Sequence, residues 1–174
     1  MSQIEADRGY VIDSFNNGTK SVPITLSNNN KTATNTNSTR NGYNFQTVRG
    51  THEMSQGEHR FRIRIDKIGP DYYGEIHIGV VPSNSSRNAF QDGWTVDFWV
   101  PQREYLNKIE RGYGKKCKDG DEITMIVDCD NYTVSYEVND EKIGTVYTKS
   151  DGVKGTLILG VDLAGYTNTK VTIL

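Results

Sequence analysis

Apolar and polar residues alternate with a period of two through most of this chain, and the 3.6-residue periodicity of helices is nearly absent. The clearest case is "HRFRIRI". Phe61, Ile63 and Ile65 fall on one face of an extended segment and Arg60, Arg62 and Arg64 on the other, the mark of a half-buried strand. "GEIHIGVV" follows the turn-forming "KIGPDYYG", and the two strands are expected to form a hairpin. After the loop "PSNSSRNAFQDG", the strand "WTVDFWV" carries bulk on both faces. "PQREYLNKIERGYGKKCKDGD" reads as a long loop, with turn signals at Gly112, Gly114 and Asp119-Gly120. In "EITMIVDCD", Ile123, Met125 and Val127 are in phase. In "NYTVSYEVND", Tyr132, Val134, Tyr136 and Val138 are in phase. The short joint at Asp130-Asn131 makes these two a second hairpin. "NDEKIGTVY", the turn "KSDGVKG", and the strands "TLILGVDL" and "TKVTIL" complete the chain, while "GYVID", "VPITLS" and "KTATNT" are short strand candidates near its start. Many short strands with regular turn punctuation predict an all-β antiparallel sandwich of two sheets. No internal repeat and no second domain is visible, so residues 1–174 are expected to form one domain.

Composition sharpens this reading. A chain of 174 residues can bury a proper core. The hydrophobic fraction of 34% is low, and ten tyrosines compensate by burying large rings with wet hydroxyls. Seventeen glycines against four prolines suit a turn-rich β protein. A net charge of −2 gives no pull toward nucleic acid or an anionic membrane surface. No apolar run reaches the length of a membrane span, and "MSQIEADRGY" lacks the apolar stretch of a secretory signal. The expected location is therefore cytoplasmic. Cys117 and Cys129 form neither a metal-site spacing nor a disulfide framework and are expected to be reduced. The N-x-S/T sequons that begin at Asn17, Asn30, Asn37, Asn84 and Asn131 then read as by-products of an Asn- and Thr-rich chain.

Several constellations invite a chemical reading, and each has a plainer one. The stripe of Arg60, Arg62 and Arg64 suits phosphate, but no aromatic residues interleave on that face, and Glu75 and His77 on the next strand are expected to neutralise it. "DCDNYTVSYE" places Asp128 and Asp130 like the first ligands of a calcium loop. Thr133 stands where that loop needs Gly, and Glu137 comes too early, so Asp128, Asp130 and Asn131 read as turn caps. Trp94 and Trp99 would suit a sugar-stacking platform, although core or pocket wall is the better reading of Trp94. His52, His59 and His77 have no partner Cys or Ser in a nucleophile-elbow context. Asp97 with Glu104 or Glu75 would serve an acid–base pair only at a separation that sequence does not supply. No enzymatic activity, metal or cofactor is expected.

The order of motifs carries more information than any one of them. It runs "VRG" at 48–50, Gly57, "HRFRIRI", "IHIGVV", "GW" at 93–94, "GYG" at 112–114, "DGDEI" at 119–123, "VDCDNYTVSYEVN" at 127–139, Gly144 and "LILGVDLAG" at 157–165. This series resembles the SPRY domain family over about residues 22–174, with 1–21 as an N-terminal extension or first strand. Phe61 replaces the family's usual Trp, and Thr124, Tyr132 and Asp140 stand where Gly is usual. The resemblance implies a bent two-sheet β-sandwich and a non-enzymatic protein-interaction module: an adaptor, substrate receptor or scaffold part. It also implies a peptide site built by loops at one end of the sandwich, here Ser38 to Tyr43, Ser85 to Phe90 and Leu163 to Tyr166. In that site Arg40 would offer a fork of donors and Asn41 would pair with an extended backbone. Tyr43, Phe90 and Tyr166 would supply rigid apolar contact, with Trp94, Leu163 and Gly165 beside them. The expected partner is a protein or peptide, with no nucleic acid, membrane or small-molecule cofactor. Two other classes stay open: a structural subunit that uses a sheet face, and a lectin-like sandwich.

Overall fold

The structure, a computed structural model, describes residues 9–37, 45–69, 76–86, 89–98, 103–105, 108–112, 117–164 and 168–174. The alternating segments become strands: Ile24–Ser27 (β1), Thr32–Asn35 (β2), Phe45–Arg49 (β3), Glu58–Lys67 (β4), Ile76–Pro82 (β5), Trp94–Asp97 (β6), Arg103–Tyr105 (β7), Lys108–Gly112 (β8), Glu122–Asp128 (β9), Thr133–Val138 (β10), Glu141–Tyr147 (β11), Leu157–Ala164 (β12) and Lys170–Ile173 (β13). They form a seven-stranded sheet ordered β1-β2-β13-β4-β9-β10-β11 and a six-stranded sheet ordered β3-β12-β5-β6-β8-β7. The described pairings are antiparallel except β6 with β8. This is the two-sheet antiparallel β-sandwich that the alternation predicts.

Register explains the core. Across the seven-stranded sheet, Ile173 lies opposite Ile63, Ile63 opposite Ile123, Phe61 opposite Met125 and Met125 opposite Tyr136. Across the other sheet, Val48, Val161, Ile78 and Val96 form one in-register row. These two apolar faces meet and are fully buried against each other. Two tyrosines of the first sheet also reach across. The Tyr136 hydroxyl donates to the Ile78 carbonyl at 2.9 Å, and the Tyr147 hydroxyl donates to the Thr95 carbonyl. Burial, with Tyr147 nearby, holds the Tyr136 hydroxyl well above its usual pKa, so it stays a neutral donor.

The Asn-rich stretch near the start is ordered where it is described. Asn28, Asn29 and Asn30 join β1 to β2 with φ of 52°, 53° and 62°. Asn tolerates this left-handed region better than other non-glycine residues, which accounts for the run. The hairpin makes β1 an edge strand. Upstream, "GYVID" is a strap rather than a strand. The Val11 amide donates to the Arg60 carbonyl, the Phe15 amide to the Asn30 carbonyl and the Asn16 amide to the Arg49 carbonyl. Asp13 Oδ1 accepts from the Ser14, Thr51 and His52 amides. A side chain at Gly50 would put its Cβ 2.2 Å from Asp13 Oδ2, which is why the "VRG" step ends in glycine.

Three local expectations are corrected. β4 and β5 are not a hairpin, because they lie in different sheets. The connection 68–75 is longer than tight hairpin turns allow, and both hydrogen-bonding edges of β4 are taken by β9 and β13. β5 is buried on both faces, as suits an interior strand, where β4 is buried on one. The stretch 101–121 is not a plain loop, since β7 and β8 pair within it. The loop after β5 contains a helical turn, Ala89–Asp92 (α1).

Candidate functional site

Alternation along the six-stranded sheet turns Thr47, Asp162, His77 and Asp97 away from the core. They form a second in-register row across β3, β12, β5 and β6. An outward row of such residues is ordinarily solvated. Here their exposures are 4%, 0%, 0% and 1% in the same order, so this outer face is covered. α1 supplies part of the cover. Ala89 packs with Val81 and Ile158 in a small apolar cluster, and a Cβ on Gly160 would lie 2.9 Å from Val81 and 3.1 Å from Ala89.

The polar groups beneath this cover are tied together. Asp162 Oδ1 accepts from the Thr47 hydroxyl at 2.5 Å and from the Ala89 amide at 3.1 Å. A buried carboxylate is tolerated when hydrogen bonds and opposite charge replace its lost water. Arg49 supplies the charge. Burial lowers its guanidinium pKa, and the fields of Asp162 and Asp92 oppose that shift. Arg49 Nη1 also donates to the Thr19 carbonyl at 3.2 Å. His77 Nε2 lies 4.0 Å from Asp97 Oδ2, and the His77 ring centroid is 4.6 Å from that of Phe45.

Strand ends decide which predicted site segments meet. Phe45, which follows residues 38–44, pairs with Ala164, which precedes residues 165–167. Arg40, Asn41, Tyr43, Gly165 and Tyr166 themselves lie outside the described residues. So does the side chain of Phe90, although its backbone is in α1, next to Ala89 over Asp162. Leu163 is described and sits in the core, out of a partner's reach as a side chain. Its carbonyl accepts from Asn35 Nδ2 at 3.3 Å. Asn35 also takes the Asn37 amide on its side-chain oxygen and the Asn168 amide on its carbonyl. One buried asparagine thus anchors the described flanks of both segments.

Trp94 does not join this corner. It points toward the core side of β6, opposite Val80. Its indole Nε1 donates to the Asp151 carbonyl at 2.8 Å, in the 3₁₀ turn Lys149–Asp151. That is the core-wall reading of Trp94. Trp99 lies outside the described residues.

The arginine stripe proves to be a neutralised surface, through partners other than those expected. His77 is buried in the other sheet, and Glu75 lies outside the described residues. Arg60 pairs with Glu58 at 3.0 Å, Arg62 with Glu122 at 2.5 Å and Arg64 with Asp66 at 2.5 Å. The acidic turn is a cap: Asp128 Oδ1 accepts the Asp130 and Asn131 amides, both at 3.0 Å. His52 Nε2 and His59 Nδ1 are 3.1 Å apart. Among the described residues, no three His, Cys, Asp or Glu side chains are grouped to hold a metal ion. Nor is any described helix long and apolar enough to cross a membrane. Cys117 and Cys129 are buried and form no disulfide.

Sequence reasoning missed Thr47, Asp162 and Asn35, and met Arg49 only as part of the "VRG" step and Asp97 only as half of an acid–base pair. Asp162 left a signal, being a lone acid inside the apolar run "LILGVDLA".

Known structures repeat this architecture. The SPRY domain of human HERC1 superposes with a TM-score of 0.71 at 16% identity, covering 92% of this chain and 96% of its own. The PSpry domain of TRIM65 superposes with a TM-score of 0.70 at 11% identity, covering 100% of this chain and 97% of its own. At these identities the likeness concerns the fold. No curated protein matches the sequence significantly. A family profile does: Neuralized matches residues 17–174, nearly the whole length, and the chain belongs to the Neuralized family.

Proposed function

We propose that this chain binds a peptide segment of a partner protein at the corner of the six-stranded sheet where β3 and β12 adjoin residues 38–43 and 163–166 and over which the turn carrying Phe90, in residues 85–90, folds back. It would act in the cytoplasm as an adaptor, substrate receptor or scaffold part. Domains of the Neuralized and SPRY kind are in general protein-interaction modules and typically non-catalytic. The finer reading rests on one observation. Phe45 pairs with Ala164, and Ala89 donates to Asp162, so the described flanks of three segments far apart in sequence converge on one corner. Arg40 and Asn41 would supply donors for a peptide backbone or carboxylate, and Tyr43, Phe90 and Tyr166 rigid apolar contact. Gly165 would let a bound backbone approach closely. Leu163 supports this corner from the core, and Trp94 serves the opposite end of β6.

The test is a pull-down from lysate of the native cell. Wild type is compared with the triple variant Arg40→Ala, Phe90→Ala, Tyr166→Ala, whose folding is checked by circular dichroism. Partners held by wild type and lost by the folded variant support the corner as the site. Equal capture by both rejects it.

A further inference from the structure

We infer that Asp162 is a positioning residue that ties β3, β12 and the helical turn α1 into one mechanical unit beside the proposed site, so that loosening any one of them loosens the others. The inference rests on the partner-site reading above for its functional meaning, and on hydrogen-bond geometry for the coupling itself. Asp162 lies on β12, two residues before the end of the strand. The same carboxylate oxygen takes the Thr47 hydroxyl, from the strand that follows residues 38–44, and the Ala89 amide, from the helical turn that carries Phe90. Thr47 is 115 residues away in sequence and Ala89 73. His77 of β5 stands in register on the other side of Asp162. The carboxylate is fully buried. A charge out of water depends on all of its donors together, so losing one weakens the hold of the others. The core apolar row next to it contains no such shared group, since its side chains meet by packing alone.

Native-state hydrogen exchange tests this. Thr47→Val removes one donor at nearly constant volume. Thr172→Val serves as the control, because it removes a buried hydroxyl that meets Thr32 at 2.8 Å in the other sheet. The expected result is that Thr47→Val speeds exchange about tenfold at Ala89–Gly93 as well as in β3 and β12, while Thr172→Val leaves Ala89–Gly93 within about twofold of wild type. Asp162→Asn, which keeps an acceptor oxygen, should stay closer to wild type than Asp162→Ala. An effect of Thr47→Val confined to β3 and β12 overturns the inference. An equal response of Ala89–Gly93 to both threonine variants overturns it as well, because the opening would then be global. The two readings fail separately. If coupling is absent but the triple variant loses its partners, the site stands and the positioning role falls. If coupling is present but the triple variant keeps its partners, Asp162 is not a positioning residue of a partner site.

Discussion

The sandwich has two outer faces, and both carry rows of charged residues on strands of similar pattern. On the seven-stranded sheet, Arg60, Arg62 and Arg64 meet their carboxylates in contact with solvent. On the six-stranded sheet, Asp162, His77 and Asp97 are out of solvent altogether. The first face uses charge as a soluble coat, where each pair adds little because water competes with it. The second uses charge as an internal brace, where each donor counts because water does not reach these groups to take its place.

Substitutions give ways to break this contrast. The largest effect is expected for Asp162→Ala, which strips the acceptor from Thr47 and Ala89 and removes the charge beside Arg49. It should cost about 3 kcal/mol of unfolding free energy, read from urea denaturation. A loss below about 1 kcal/mol would put the two faces on equal terms. Thr47→Val should cost about 1.5–2 kcal/mol in the same assay, the low end of the worth of one bond to a charged group. Arg62→Ala, on the solvated face, should cost less than about 1 kcal/mol, and that cost should shrink as salt is raised. A cost equal to that of Thr47→Val would show that the arginine row braces its sheet too.

The smallest effect concerns the exposed turn that caps β9 and β10. The Asn131 side chain and amide, with the Asp130 amide, hold the Asp128 carboxyl below its usual pKa. A carboxyl with a lowered folded pKa stabilises the native state above its unfolded value, about 3.9. That contribution fades as pH falls through the lowered folded value. Wild type should therefore lose slightly more stability than Asp128→Asn between pH 5 and about pH 2 in thermal melts. Identical pH profiles would remove Asp128 as a titrating cap.

The strands with one buried face were legible because alternation is a local signal. Phe61, Ile63 and Ile65, and the hairpin of Glu122–Asp128 with Thr133–Val138, follow directly from it. The pairing of β4 was not legible, since two amphipathic strands in succession look like a hairpin whether or not they share a sheet. The candidate site was legible in part. The motif order pointed to segments whose described flanks do converge, Phe45 with Ala164 and Ala89 over Asp162. Leu163 and Trp94 were drawn into that corner by position in the motif alone, and the direction of each side chain takes them to the core and to the Asp151 turn.

The sequence by itself determined the two-sheet sandwich and the in-phase core residues, because each depends on the alternation of neighbouring residues. Only the tertiary structure decided which outer face is covered. That depends on long-range strand order and on where α1 folds back, and these bring Thr47, Ala89 and Asp162 to one carboxylate oxygen from three distant parts of the chain.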